Sequence, residues 1–295
     1  MREAENSLST QTLSDDSRRR KYMRRILVLG ANGMLGYAVC QYFKRKGDDV
    51  IELTRGEFDI VHDPIDKLGQ FSDGVDVVIN CAGVIKPMIA RTPIEDVLKV
   101  NSIFPHNLAG YCKKLGIMCF HITTDCVYTG EKGAYTEEDY VDAEDVYGLS
   151  KAGGDTADCM VLRTSIVGEE KGRARSLLEW ARSEAGNEVR GFTNHKWNGV
   201  TTVYLAEIIE QIIEKNLYQR GVFHIHSPEP VTKLELVGIF NNVYELGLAI
   251  TPAEAAQSCD RSLSSIRDVT ERICRKPLLQ QVREMRAFFS ERATP

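Results

Sequence analysis

Arg25-Ile26-Leu27-Val28-Leu29-Gly30-Ala31-Asn32-Gly33-Met34-Leu35-Gly36 is the stretch whose reading decides the fold. Its first residues are a short apolar run of the kind buried on both faces of a parallel sheet. From Met34 the pattern turns helical and continues to Lys46, where Gly47 stops it. Between strand and helix the glycines fall as Gly-x-x-Gly-x-x-Gly, a variant of the dinucleotide-binding turn. Gly30 permits the tight turn. Gly33 lets backbone amides approach a pyrophosphate at the positive helix end, and Gly36 lets the helix lie close to the sheet. Asn32, Met34 and Leu35 complete this predicted cofactor turn. The same glycines without a strand before and a helix after would be a flexible turn and little more.

Working outward, Val50–Leu53 reads as a second strand, ending at Leu53-Thr54-Arg55. An acidic residue at that end would bind the adenosine ribose hydroxyls and favour NAD; none stands there. Arg55 can pair with a 2′-phosphate, which favours NADP over NAD, with a solvated loop residue as the near-equal alternative. Asp59 and Ile60 are expected to cap the adenine. Val75–Asn80 is a further strand, and Cys81-Ala82-Gly83 after it supplies small residues beside the cofactor. Residues 94–115 carry one long helical pattern, followed by strands at 117–122 and 160–162. Strands alternating with helices predict an α/β fold built on a doubly wound parallel sheet.

The strand at 117–122 runs into His121-Ile122-Thr123-Thr124-Asp125, at the carboxyl edge where open α/β sheets place their ligands. Tyr147-Gly148-Leu149-Ser150-Lys151 follows. Four residues apart on a helix, Tyr147 and Lys151 share a face. An ammonium there can lower the pKa of a phenol and hold a nicotinamide ribose. Thr124 can then donate to a substrate carbonyl while Tyr147 transfers the proton and the cofactor delivers hydride. Singly, these residues read as a strand-end cap, a packed aromatic and a solvated lysine. In this order, behind the glycine turn, they predict a redox enzyme.

The chain has 295 residues and a formal charge of −5, which gives no reason to expect nucleic acid or an acidic membrane as partner. No apolar run approaches the roughly 20 residues needed to cross a bilayer. Eight scattered cysteines form no Cys-x-x-Cys pair, which predicts free thiols and a cytoplasmic setting. His224 and His226 have strand spacing but no further ligand spaced beside them, so no metal site is predicted. Residues 1–22 read as a disordered polar tail. Residues 23–168 read as the cofactor domain, and residues 169–295 as a smaller substrate-binding lobe from which some segments return to the first domain. In that lobe, helices are expected near residues 176–185, 202–215, 233–244 and 277–289, with a strand at 222–225. The stretch Phe192–Thr201 reads as a loop. Lys196 is its candidate for phosphate and Trp197 for a sugar ring, with a packed Trp197 as the equal alternative.

The chain resembles the extended short-chain dehydrogenase/reductase superfamily, and within it the dTDP-4-dehydrorhamnose reductases and related nucleotide-sugar reductases. The resemblance spans about residues 24–290. It is carried by Gly30–Gly36, Leu53-Thr54-Arg55 with Asp59-Ile60, Val100-Asn101 with Pro105, and Thr123–Tyr128. Tyr135–Asp139, Tyr147–Gly154 and Leu162–Ser165 complete it. It implies a Thr124, Tyr147, Lys151 catalytic set and reduction by NADPH or NADH of the C4 ketone of a nucleotide-linked 4-keto-6-deoxysugar, in deoxysugar or surface-polysaccharide biosynthesis. It places Asn101, Thr123 and Arg163 near the cofactor and Asp125 beside the sugar; Lys86 and Cys126 are further substrate-binding candidates, Arg261 can meet a phosphate or cap a helix, and a homodimer is left open. Cys126 and Ile166 stand where the family has aromatics, and Asp155 where it has glutamate. The absence of a glutamate after Asp125 disfavours the dehydratases. Two alternatives remain: an epimerase with tightly bound NAD, and a non-catalytic NADP-binding subunit resembling that of methionine adenosyltransferase.

Overall fold

The apolar run Arg25–Leu29 forms strand β1 and Met34–Lys46 forms helix α1, joined by the glycine turn. The computed structural model in which they are seen describes residues 23–170 and 176–291; the tail expected over residues 1–22 lies outside the described residues. The chain continues through β2 (Asp49–Leu53), β3 (Val77–Asn80), α2 (Ile94–Leu98), α3 (Phe104–Leu115) and β4 (Met118–Thr124). Then come α4 (Val146–Ala152), β5 (Met160–Thr164) and β6 (Ile166–Val167). Beyond them lie α5 (Leu177–Ser183), β7 (Glu188–Phe192), β8 (His195–Trp197), β9 (Val200–Thr201), α6 (Thr202–Glu214) and β10 (Gly221–His224). The last elements are β11 (Val231–Thr232), α7 (Lys233–Tyr244), β12 (Ala249–Ala253), β13 (Cys259–Asp260), α8 (Asp268–Ile273) and α9 (Leu278–Ser290).

Six strands form one parallel sheet in the order β10-β5-β4-β3-β1-β2. Successive side chains alternate between two buried faces, which is why the strands read as unbroken apolar runs. Ile26, Val28, Ile79, Phe120 and Leu162 enter the core shared with α1 and α6, while Leu27, Leu29, Val78, Cys119 and Val161 enter the core under α3. The strand order reverses at β1, with β2 on one side and β3 on the other. A doubly wound sheet opens its ligand crevice at the carboxyl ends beside such a reversal. Strand β10, from the second half of the chain, pairs with β5 and supplies the edge opposite β2.

The glycine turn is steric in origin. Gly30 adopts φ +75°, and a Cβ on it would stand 2.9 Å from the Ala82 backbone. A Cβ on Gly36 would lie 2.2 Å from the Gly30 carbonyl oxygen. Helix α1 therefore lies on the turn with no room for a side chain between them.

Two sequence expectations are corrected. The single helix over residues 94–115 is interrupted by a π-helical turn at Lys99–Ile103. That extra residue swings Asn101 inward, where it is fully buried; its Nδ2 donates to the Val84 carbonyl (3.0 Å) and to Ser150 Oγ (3.1 Å). The stretch Phe192–Thr201, read as a loop, is mostly strand. β8 pairs with β11 and β13, and β9 pairs with β6. Its partners lie far away in the chain, so its polar composition concealed the pairing. Strand β12, which pairs with β7, was not foreseen at all. At the far end of the chain, α9 returns to α1, with Arg45 over the Phe288 ring at 3.7 Å. No helix among the described residues is long and apolar enough to cross a membrane.

Gly36→Ala is expected to lower stability by about 1–3 kcal/mol through overpacking, seen as a lower thermal midpoint. Gly110→Ala is the control: its Cβ meets nothing within 4 Å, so the change should be neutral or stabilising by up to about 1 kcal/mol.

Candidate active site

The carboxyl ends of β1, β3 and β4 open into a cleft of about 1340 Å³. Its floor is the glycine turn: Gly30, Asn32, Gly33, Met34 and Leu35 line it. Gly33 caps α1 with no side-chain hydrogen bond, and the first turn of α1 carries no acidic residue, so the helix end is fitted to meet an anion. Arg55, Asp59 and Ile60 form one wall, and Cys81, Ala82 and Gly83 another. Arg55 Nε reaches Asp59 Oδ2 at 3.1 Å while its side chain stays 73% exposed, open to a further anion. Burial alone would raise the Asp59 carboxyl. Hydrogen bonds from Val61 N–H, His62 and Arg55 outweigh it and hold the group at about 2.

Thr123, Thr124, Asp125, Cys126, Tyr147 and Lys151 meet at the other end of the same cleft. Thr124 ends β4, where its Oγ1 accepts from Cys126 N–H (3.2 Å) and donates to Asp125 Oδ1 (3.2 Å). It is a strand-end cap and also faces the Tyr147 phenol. Helix α4 presents Tyr147 and Lys151, and its N-cap Asp145 accepts from Gly148 N–H at 2.7 Å. Lys86 closes over this corner, its ammonium 2.5 Å from Asp145. Lys151 is buried, with Nζ donating to the Ile122 carbonyl at 3.4 Å. The open space at Gly83 admits it: a Cβ there would sit 2.9 Å from Nζ.

Burial sets the protonation states. It pushes the Tyr147 phenol up, with Cys126 and Asp125 adding and Thr124 opposing, so the phenol holds its proton. Burial pulls Lys151 down to about 8, against Asp155 and Cys81. Cys126 is pushed up to about 12 by burial and then by Asp125, which makes it an inert thiol. Asp125 is raised by burial, against Arg261 and Lys233.

Other sequence-singled residues lie outside the cleft lining. Gly36 and Asn101 support it from behind. Arg163 is buried in β5, where it pairs with Asp155. Trp197 is buried at 4% exposure, the packed alternative of the sequence reading. Lys196 pairs with Asp260 at 3.4 Å. Arg261 donates from Nε to the Tyr128 carbonyl at 2.8 Å, and its charge reaches Asp125 and Cys126. Lys233 escaped the sequence reading. It starts α7, stands 5.3 Å from the Trp197 ring centroid, and its charge acts on Asp125 and Cys126. A lysine opening an amphipathic helix carries no signal that its ammonium faces a buried carboxylate 108 positions earlier.

A family model described as the RmlD substrate binding domain matches residues 23–274. The spore coat polysaccharide biosynthesis protein SpsK of Bacillus subtilis is 27% identical over 213 residues, covering 69% of this chain and 73% of the relative. The probable low-salt glycan biosynthesis reductase Agl14 of Haloferax volcanii is 30% identical over 227 residues, covering 70% of this chain and 75% of the relative. Among solved structures, the dTDP-4-dehydrorhamnose reductase of Bacillus anthracis in complex with NADP superposes with a TM-score of 0.73 at 18% identity. The match covers 91% of this chain and 99% of that one.

Lys151 carries a stability prediction whose sign follows from its displacement. Its folded value of about 8 lies below the ordinary 10.5, so between those pH values the unfolded chain binds more protons. The cost of burying the charge is fully present below pH 8 and is relieved as pH rises toward 10.5. At about 1.4 kcal/mol per pH unit it amounts to a few kcal/mol. Denaturant unfolding at pH 7 and pH 10 should show the wild-type chain gaining on Lys151→Met by about that amount.

Proposed function

Because the chain belongs to the RmlD substrate binding domain family, we propose that it is an NAD(P)H-dependent reductase of the C4 ketone of a nucleotide-linked 4-keto-6-deoxysugar. The observation that carries this reading is the meeting of Thr124, Tyr147 and Lys151 at one end of a cleft whose other end is the glycine turn. The cleft residues fit a nicotinamide dinucleotide: an uncapped helix end for the pyrophosphate, Arg55 for a 2′-phosphate, and Ala82 and Gly83 leaving room beside β3. NADP is favoured, since Arg55 after β2 keeps an exposed guanidinium in the cleft while Glu52 within β2 is paired with Lys44. When bound, the nicotinamide supplies a hydride to the ketone carbon.

The protein's own groups do the rest. Tyr147, protonated by its surroundings, donates its proton to the carbonyl oxygen as negative charge develops there. Thr124 donates a hydrogen bond to the same oxygen and fixes its direction. Lys151 holds the ribose hydroxyls and steadies the phenolate that Tyr147 becomes. Ketone, hydride and proton together give the alcohol, and Tyr147 regains its proton from solvent.

The nucleotide end of the substrate is assigned to Lys233 and Arg261. Both cations act on Asp125 and Cys126, beside the Lys86–Asp145 ion pair, and this gathering of cations suits a diphosphate. Lys233 also borders a groove of about 570 Å³ walled by Trp180, Val189 and Phe192, an apolar surface for a base. In this reading Lys196 and Trp197 stabilise the lobe and do not touch the substrate. The family's place in polysaccharide and glycan biosynthesis among named relatives supports the same role here, in the cytoplasm where nucleotide sugars are made.

Oxidation of NADPH, then NADH, against a panel of nucleotide-linked 4-keto-6-deoxysugars tests the reading; no turnover with any of them would overturn it. Tyr147→Phe should lower turnover by roughly 10²–10⁴-fold with NADPH binding kept. Lys233→Met should raise KM for the sugar nucleotide by roughly 10–100-fold, the worth of a hydrogen bond to a charged group, with little change in kcat.

A further inference from the structure

We propose that Lys86 and Asp145 are a positioning pair: their ion pair latches the segment 85–91 against the start of α4 and so sets how long a nicotinamide cofactor stays beside Tyr147 and Lys151. The link to residence time rests on the redox reading of the cleft.

The segment 85–91 is a wall with no core of its own. Lys86–Arg91 form a 3₁₀ helix in which no residue is buried, and Ile85 caps it with no side-chain bond. Ile85, Lys86, Pro87, Met88 and Arg91 all line the cleft. An element without buried apolar contacts opens at low cost. This one is pinned where it begins. Asn101 Oδ1 accepts from Val84 N–H at 2.8 Å, and Asn101 Nδ2 donates to the Val84 carbonyl at 3.0 Å. At the far end Thr92 closes the turn on itself. Its N–H donates to the Ile89 carbonyl (3.2 Å) and its Oγ1 to the Met88 carbonyl (2.9 Å). Among the described residues, the ion pair that carries this segment across to α4 is Lys86 with Asp145, at 2.5 Å.

The wall on the other side does not yield. A Cβ on Gly148 would stand 2.3 Å from the Cys126 carbonyl oxygen, and one on Gly154 would stand 2.1 Å from that of Asn101. Helix α4 and the turn after it are thus seated against backbone at both ends. Between them Ser102 Oγ donates to the Ser150 carbonyl at 2.7 Å. Asp145 has two tasks and gives each its own oxygen. Oδ1 accepts from Gly148 N–H at 2.7 Å as the cap of α4, and Oδ2 takes the Lys86 ammonium. The segment 85–91 is therefore the side that moves when the pair parts. Water reaches both charges, with the Lys86 side chain 56% and the Asp145 side chain 45% exposed. Such a pair is weak and is screened by salt, so it closes the wall without sealing it.

What the latch closes over follows from the chain. Gly83 directly precedes the pinned Val84 and makes room for Lys151, whose Nζ lies 2.9 Å from where a Cβ on Gly83 would be. Tyr147 stands two residues past Asp145. The pair therefore spans the cleft at the end where Thr124, Tyr147 and Lys151 meet. The sequence marked Lys86 as a substrate contact; its ammonium instead faces the cap of the helix that carries Tyr147.

Asp145→Asn separates the two tasks of that residue, because asparagine caps a helix as well as aspartate does and carries no charge. Lys86→Met removes the pair from the other side, touches no cap, and keeps the test open if Asp145→Asn fails to fold. Two quantities are read on the full chain: NADPH release by stopped-flow fluorescence, and amide hydrogen exchange over residues 84–92 by mass spectrometry without ligand. Each variant should release NADPH and exchange over 84–92 about 2–5-fold faster, with a thermal midpoint near that of the wild type. The double variant should be no faster than either single one. Salt raised from about 0.05 to about 0.5 M should close the gap between wild type and variants. Unchanged release and exchange in a folded variant would overturn the proposal. So would additive effects, or faster exchange with unchanged release. An effect of Lys86→Met without one of Asp145→Asn would also overturn it and make Lys86 a direct contact of the ligand. Exchange needs no ligand, so coupled acceleration of exchange in a protein that binds no NADPH would sustain the latch while refuting the redox reading.

Discussion

The carbonyl oxygen of Gly30 occupies the place that a side chain at residue 36 would need. That one exclusion draws the amino end of α1 onto the carboxyl end of β1. From it follow the floor of the cleft, the approach of the helix amides to any phosphate, and the seating of α1 against α6 on the far side. The α1–α6 contact is closed by a buried hydrogen bond from the Tyr42 hydroxyl to Glu210 at 2.6 Å, and the returning α9 covers its end. The cofactor floor and the core beneath it are thus one packing problem. A bulkier residue in the turn would loosen both.

The opposite end of the cleft depends on electrostatics more than on shape. Burial raises the phenol of Tyr147 and the carboxyl of Asp125 and lowers the ammonium of Lys151. Each of these moves a group toward its neutral form, and each is opposed by a particular neighbour: Thr124 for the phenol, Arg261 and Lys233 for Asp125, Asp155 for Lys151. In a low-dielectric site such neighbours act strongly, because no water competes with them. The same logic makes Cys126 and Cys81 inert although both line the cleft.

Much of this was legible because it is local. The apolar strands, the glycine spacing, and the i, i+4 relation of Tyr147 and Lys151 are all written within a few residues of one another. What was not legible depends on long separations. Asn101 turns inward through a π-helical turn that its sequence does not announce. The strands β8 and β9 pair with segments up to 64 residues away along the chain, as His195 with Cys259, so their polar residues looked like a loop. Arg163, expected beside the cofactor, lies outside the cleft lining, its guanidinium held by Asp155, Tyr128 and His224.

By itself the sequence determined the parallel sheet, the dinucleotide turn and the identity of the three central cleft residues. Steric limits on glycine, the periods of helix and strand, and hydrophobic burial act over short spans, so a reader of residues can follow them. Only the tertiary structure decided which charges share a buried volume: Lys233 with Asp125, Asp155 with Lys151, and Arg163 with a neutral His224. Those partnerships depend on where the fold removes water, and solvent exclusion is a property of the assembled chain that no local pattern records.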